Sequence, residues 1–138
     1  MATDPAASEV TAPRGKRKKW KWILAGVLLM PFVGFALWAW MTLSFTYSSG
    51  DRAGYLQKFS RKGWLCKTWE GEIAMANLPG TMPQIFSFTV RTDSIAEILN
   101  GMSGQRVAIY YEQHRGVPTN CFGETEYFVV RAQRLPPP

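Results

Sequence analysis

A long uncharged segment constrains this chain more than any other feature. No charged residue occurs between Trp22 and Gly50, and the apolar part of this segment extends to Leu43. A helix needs roughly 20 apolar residues to cross a hydrocarbon layer about 30 Å thick. The sequence therefore predicts a membrane-spanning helix over residues 22–45, which would act as an uncleaved signal-anchor.

The flanks of this segment predict its orientation. Excess lysine and arginine mark the cytoplasmic side of a membrane helix, and tryptophan favours both interfaces. Arg52 is the first basic residue after the segment, so we expect a cytoplasmic N-terminus and an external C-terminal domain. A basic anchor of this kind contacts anionic lipid. The predicted anchor residues are Arg14, Lys16, Arg17, Lys18, Lys19 and Lys21, with Trp20, Trp22, Trp38 and Trp40.

The apolar segment has two other possible interpretations. A cleaved signal peptide has a shorter apolar region, roughly 7–15 residues, followed by a small-x-small site, whereas this segment is longer and ends in Ala36-Leu37-Trp38-Ala39-Trp40. The other alternative is a buried helix of a soluble protein, which the absence of any polar stripe in this segment disfavours. A membrane anchor remains the favoured interpretation.

Composition divides the chain into four parts. We expect a disordered basic N-terminus at 1–21, the helix at 22–45, a small β-barrel domain at 46–134 and a Pro-rich tail at 135–138. The net charge is +6, but residues 1–22 carry six basic and two acidic residues, whereas residues 48–138 carry ten and eight. The basicity therefore belongs mainly to the anchor, and the sequence predicts no nucleic-acid partner.

Strand patterns dominate after residue 50. Phe86 and Phe88 alternate with polar neighbours and are expected to face a core, while Gly71 indicates a bend or bulge. Strand, strand, strand, short helix, strand, strand is the order of an OB-fold, a five-stranded antiparallel barrel. Another small antiparallel sheet or sandwich is the alternative. The predicted strands are 55–59, 64–76, 84–90, 106–112 and 124–131, with the helix at 92–99.

Cys66 and Cys121 are the only cysteines, and both lie in the predicted external domain. An oxidising compartment favours a bridge between them, and the alternative is a pair of buried thiols. Two cysteines and one distant histidine do not form a spaced metal-ligand cluster. We therefore expect neither a metal nor another cofactor.

No catalytic pattern stands out. Glu70 and Glu72 would share one strand face, and paired carboxylates can serve glycoside hydrolysis, but such charges more often lie on a solvated face. His114 is the only histidine, and nothing nearby nominates a nucleophile or an orienting group for it. The sequence predicts a protein that is not an enzyme.

The OB-like topology nominates a binding surface. Ligands of this fold bind on the second and third strands and on the loops that follow strands one and four. A sugar, an anion or an extended peptide would suit such a surface. The alternative is that Trp69 fills the core while the cations keep the domain soluble. The candidate residues are Arg61, Lys62, Lys67 and Trp69, with His114 and Arg115 from the opposite rim.

The segments 49–64, 66–72 and 122–128 resemble a family of short bacterial single-pass membrane proteins. The resemblance covers most of residues 48–131 and implies that the outer compartment is a periplasm. It transfers no functional residue, because the family has no established activity. Some members carry an automatic 6-phosphogluconate dehydrogenase label, which this chain does not support because it lacks a dinucleotide-binding fingerprint.

We therefore expect a non-enzymatic inner-membrane protein that displays a periplasmic β-domain. Its partner would be a membrane or periplasmic protein, with the chain as a possible accessory subunit of an envelope complex. The second expectation is a periplasmic binding module for a sugar or an anionic small molecule. Such a module requires a pocket beside Trp69.

Overall fold

A computed structural model describes residues 16–75 and 79–138, with side chains from residue 19 onward. The predicted disorder before residue 16, including Arg14, lies outside the described residues. So do the side chains of Lys16, Arg17 and Lys18, and the end of the second predicted strand at Ala76. The chain divides into two compact units after Ala36, and the last turns of the first helix belong with the following domain.

The apolar segment forms the helix α1, Lys16–Ser44, which contains Pro31. Its large apolar side chains are exposed along the helix, from Trp20 to Met41. The part from Lys19 to Ser44 is long and apolar enough to cross a membrane, a property that signal sequences near an N-terminus share. An exposed apolar helix of this length needs an apolar environment, and a bilayer supplies one.

The rest of the chain forms a closed five-stranded barrel with strand order β1-β2-β3-β5-β4. Neighbouring strands are antiparallel, except for a single parallel pairing between β3 and β5. This is the order of an OB-fold, so the predicted fold class is confirmed. The elements are β1 Ser48–Lys62, β2 Thr68–Met75, β3 Gln84–Val90, α2 Asp93–Asn100, β4 Arg106–Gln113 and β5 Tyr127–Arg134.

The first strand is far longer than the predicted 55–59. Its first half pairs with β4, from Ser48 opposite Gln113, and its second half pairs with β2. Two partner strands therefore hold polar residues in extended conformation, although these residues show no apolar alternation. A register shift lies in β1 between Leu56 and Lys58, and a second one lies in the pairing of β4 with β5 at Tyr110 and Tyr111.

The structure contains no bulge at Gly71, because β2 pairs with both β1 and β3 in continuous register across this residue. Gly71 instead leaves room for its neighbour: a Cβ added there would meet the ring of Phe88. Phe88 is fully buried, so the glycine makes space for a core aromatic ring.

Inward-facing residues of the strands and α2 fill the barrel. Phe86 and Phe88 are buried as predicted, and α2 adds Ala96 and Leu99 to the same core. Phe59 and Trp69 pack against this core while remaining partly exposed. The aromatic side chains of Phe59 and Trp69 therefore extend the core to the solvent at the end of the barrel where β1 ends and β2 begins.

Candidate functional site

A cleft opens at this end of the barrel, and the charged residues of its lining are mainly basic. We call it the cationic cleft. Its volume is about 250 Å³. Arg61 comes from the end of β1, Lys67 from the last position of the β1–β2 loop, Trp69 from the start of β2, Arg91 from just after β3, and Asp93 from the start of α2. Thr68, Val90, Cys121 and Phe122 complete the lining.

Trp69 is half-buried and forms one wall of the cationic cleft. Its ring stacks on Phe59 with centres 5.4 Å apart and planes 4° from parallel. Its indole N–H donates a hydrogen bond of 3.1 Å to Oδ1 of Asp93, and the Arg61 guanidinium carbon lies 5.6 Å from the ring centre. Trp69 therefore packs against the core and also lines the cleft. The sequence-based alternatives, a core residue or a binding residue, do not exclude each other.

Within the part of the chain that the structure describes, the cations of the cleft have no carboxylate partner. Arg61, Lys67 and Arg91 are exposed, and among the described residues none of them lies in an ion pair. Arg91 instead rests over the ring of Phe128, with its guanidinium carbon 5.4 Å from the centre. With Asp93 as the single acid in the lining, the cleft carries excess positive charge.

Glu70 lies beside the cleft and is buried, with 5% of its surface exposed. Its carboxylate accepts hydrogen bonds of 2.7 Å from the hydroxyls of Thr68 and Thr89, and one of 3.1 Å from the backbone N–H of Glu124. The expected solvated face for Glu70 is therefore wrong. The residue does lie on the outer face of β2, opposite Thr89, but the end of the β4–β5 loop covers it.

A disulfide between Cys66 and Cys121 joins the two loops at this end, with Cα atoms 4.9 Å apart. Cys66 lies in the β1–β2 loop, residues 63–67, and Cys121 in the β4–β5 loop, residues 114–126. Trp64 and Leu65, placed in a strand by sequence reasoning, instead form the tip of the first loop. They are 100% and 94% exposed, and we call them the apolar tip.

The predicted binding surface is not a single surface. Arg61, Lys67 and Trp69 meet in the cationic cleft. Lys62 points elsewhere and pairs with Glu124, its Nζ 3.4 Å from Oε2. This exposed ion pair contributes little stability.

His114 and Arg115 lie at the other end of β1. His114 is buried, with Nδ1 3.3 Å from the carbonyl oxygen of Thr42 and its ring 5.3 Å from that of Phe128. The Arg115 guanidinium carbon lies 4.7 Å from the centre of the Tyr47 ring. His114 therefore connects the barrel to the last turn of α1, and Arg115 connects it to the residues just after that helix. The Thr42 carbonyl is available because carbonyls in the last turn of a helix lack partners within the helix.

Arg91 was missed by sequence reasoning, although a signal for it exists. The register of β2 and β3 pairs Trp69 with Val90, and the turn between the strands contains Gly80 at φ +91°. A hairpin centred on Pro79-Gly80 places the residue after Val90 beside the start of β2.

Within the described residues, no group of three or more His, Cys, Asp or Glu side chains is placed to hold a metal.

One protein-family model matches residues 45–137, which is more than half of the chain, and it is described as a domain of unknown function, DUF8785. The chain belongs to this family. The DUF8785 domain contains the whole barrel, both cysteines and every residue of the cationic cleft. No curated protein matches the chain.

The DUF8785 domain is similar in fold to a solved structure, the mitochondrial single-stranded DNA-binding protein Rim1 of S. cerevisiae. The TM-score is 0.51 at 11% sequence identity, and the match covers 66% of this chain and 96% of the other. At this identity the likeness shows the fold alone. It nevertheless overturns the prediction that nucleic acid is excluded as a partner. A barrel of this kind serves a DNA-binding protein, so a nearly balanced charge is no ground for the exclusion.

Proposed function

We propose that this protein is a non-enzymatic, single-pass inner-membrane protein that displays its DUF8785 barrel in the periplasm to bind a protein partner. The exposed apolar helix from Lys19 to Ser44 supports anchoring. The six basic residues before the apolar run support a cytoplasmic N-terminus. A disulfide between Cys66 and Cys121 suits an oxidising compartment such as a periplasm.

The observation that carries partner binding is the apolar tip. Trp64 and Leu65 are almost completely exposed, and a disulfide at the next residue ties their loop to the β4–β5 loop. Tryptophan is enriched among the residues that dominate protein interfaces. An apolar side chain held in solvent gains most from a partner that covers it, because removing apolar surface from water is favourable.

The charged surroundings of the tip favour a protein partner. Arg61 and Lys67 flank the tip in sequence. They would complement a partner surface that combines an apolar pocket with acidic residues at its rim.

Photo-crosslinking in native membranes tests this proposal. A photoreactive phenylalanine analogue replaces Trp64 in one version of the full chain and Ile98 in another, because Ile98 is an exposed apolar residue of α2. We expect one discrete crosslinked protein from position 64, absent from position 98, and weakened by Leu65→Ala or Lys67→Glu. Crosslinks to lipid alone, to a second copy of the chain, or equally from both positions would contradict partner binding at the tip.

The non-enzymatic part of the proposal rests on the buried titratable groups. Glu70 is held by two threonine hydroxyls and a backbone N–H. His114 contacts Phe128 and lies within hydrogen-bonding distance of the carbonyl of Thr42. Both groups therefore have structural roles that account for their burial without catalysis.

A second candidate function is a binding module for a sugar or an anionic small molecule. The observation in its favour is that Trp69 is only half-buried and borders the cationic cleft. Calorimetric titration of the purified full chain with a neutral disaccharide and with inorganic phosphate tests both versions. If neither compound produces a heat of binding, this candidate function is excluded.

A further inference from the structure

We propose that the cationic cleft is a binding site for a small phosphate-class oxyanion, either free phosphate or a phosphate ester. This inference rests on the second candidate function and not on partner binding at the apolar tip. Its basis is the convergence of Arg61, Lys67 and Arg91 from three different strand ends on one small cavity. Arg61 and Lys67 lie on either side of the β1–β2 loop, whereas Arg91 is more than 20 residues away in sequence and joins them through the pairing of β2 with β3.

Unbalanced charge is the first argument. Among the described residues, the three cations form no ion pair, whereas elsewhere on this surface Lys62 does pair with Glu124. Asp93 is the one acid in the lining, and one of its oxygens already accepts the indole N–H of Trp69. A doubly charged phosphate would neutralise this excess better than a single carboxylate.

Preorganisation is the second argument. The Arg61 guanidinium lies over Trp69, which lines the cleft, so this contact orders Arg61 at the site. The Arg91 guanidinium lies over Phe128, which lines a neighbouring cavity. Lys67 follows Cys66, whose disulfide ties this loop to the β4–β5 loop. Side chains that are already ordered lose less conformational entropy when a ligand binds. Guanidinium groups also offer paired N–H donors that match two phosphate oxygens.

The size and polarity of the cleft select the ligand class. A volume of about 250 Å³ is below the range of roughly 300–1,000 Å³ that is usual for drug-sized ligands. Trp69 already stacks on Phe59, and most of the other side chains in the lining are charged or polar. These features favour a small, highly charged group over a neutral sugar.

Isothermal titration calorimetry of the full chain in a non-ionic detergent tests the proposal, with inorganic phosphate as the first probe. We expect saturable 1:1 binding. Arg61→Gln and Arg91→Gln should each weaken it about tenfold, because a hydrogen bond between charged groups contributes enough for such a change. The matched control is Lys58→Gln, an exposed cation of β1 outside the cleft, and it should bind phosphate like the unaltered chain.

Further probes separate the sources of the anion and the competing interpretations. Glycerol phosphate binding more tightly than inorganic phosphate would identify an ester as the ligand, and the reverse order would identify free phosphate. The proposal is overturned by absent phosphate binding, by an equal loss in Lys58→Gln, or by binding of a thymidine oligonucleotide without a response to phosphate. Trp64→Ala should leave phosphate affinity unchanged, so failure at the cleft is distinguishable from failure at the apolar tip.

Discussion

Glu70 is a carboxylate buried without an ion-pair partner among the described residues. Burying a charge is costly unless hydrogen bonds replace its water, and Thr68, Thr89 and the Glu124 N–H supply them. Gly123 allows this arrangement, because a Cβ there would crowd Thr89 and Phe128. Glu70 therefore fastens the β4–β5 loop against β2 and β3, beside the cationic cleft.

Gly71 provides a prediction at the scale of one residue. Gly71→Ala should lower the free energy of unfolding by about 1–3 kcal/mol, because the added methyl group overpacks a core in which Phe88 already fills the space. Thermal and urea denaturation of the full chain, followed by circular dichroism of the barrel, measures the change.

A double variant tests the cause of that loss. Phe88→Leu shortens the buried ring, so its combination with Gly71→Ala should be less destabilising than the sum of the two single changes. The matched control is Gly101→Ala, where the added Cβ would meet only ordinary contacts. Additive losses, or an equal loss in the control, would show that Phe88 does not determine the need for glycine.

Single residues also show what sequence patterns predict well. The alternation of Ile85, Phe86, Ser87 and Phe88 correctly identifies the core side of β3, because an inward-facing residue is recognisable from its immediate neighbours. The environment of Glu70 cannot be recognised in this way, because the segment that covers it lies some 50 residues further along the chain. Local patterns identify a strand face but not what packs over it.

The β1–β2 and β4–β5 loops provide a prediction at the scale of elements. The Cys66–Cys121 bridge spans 55 residues of sequence, and closing a long loop in the unfolded chain typically stabilises a domain by about 2–4 kcal/mol. Replacing both cysteines with serine should cost that amount in urea denaturation. The Glu70 hydrogen bonds should still hold the β4–β5 loop in the folded state.

Redox treatment provides the control for this prediction. A reducing agent should destabilise the unaltered chain to the level of the double serine variant and leave that variant unchanged. Identical unfolding curves for the oxidised, reduced and serine-substituted chains would contradict a stabilising bridge.

Element bounds show where sequence patterns fail. The strand β1 extends from Ser48 to Lys62 because β4 and β2 both pair with it, although its first residues lack apolar alternation. The strand β2 starts at Thr68 rather than Trp64, because the disulfide loop occupies the preceding residues. Contacts between residues far apart in sequence therefore set these bounds: strand pairing sets the extent of β1, and the disulfide sets the start of β2.

For the whole molecule, the order of elements was enough to predict an OB-like barrel, because strand and helix patterns are local and this order is distinctive. The candidate site was predicted only in part. Arg61, Lys67 and Trp69 meet as the fold implies, but Arg91 joins them through the β2–β3 register. His114 instead contacts Thr42 in the last turn of α1, a contact that no local pattern indicates.

The central claim is that one uncleaved helix anchors the chain with the barrel outside the cytoplasm, and its most direct test is membrane topology. Alkaline phosphatase and green fluorescent protein are fused in turn after Pro138, since phosphatase folds only in an oxidising compartment and the fluorescent protein reports the cytoplasm. We predict an active phosphatase, a dark fluorescent fusion and a full-length chain that resists carbonate extraction. A fluorescent fusion with an inactive phosphatase, or a shortened chain released from the membrane, would contradict the account.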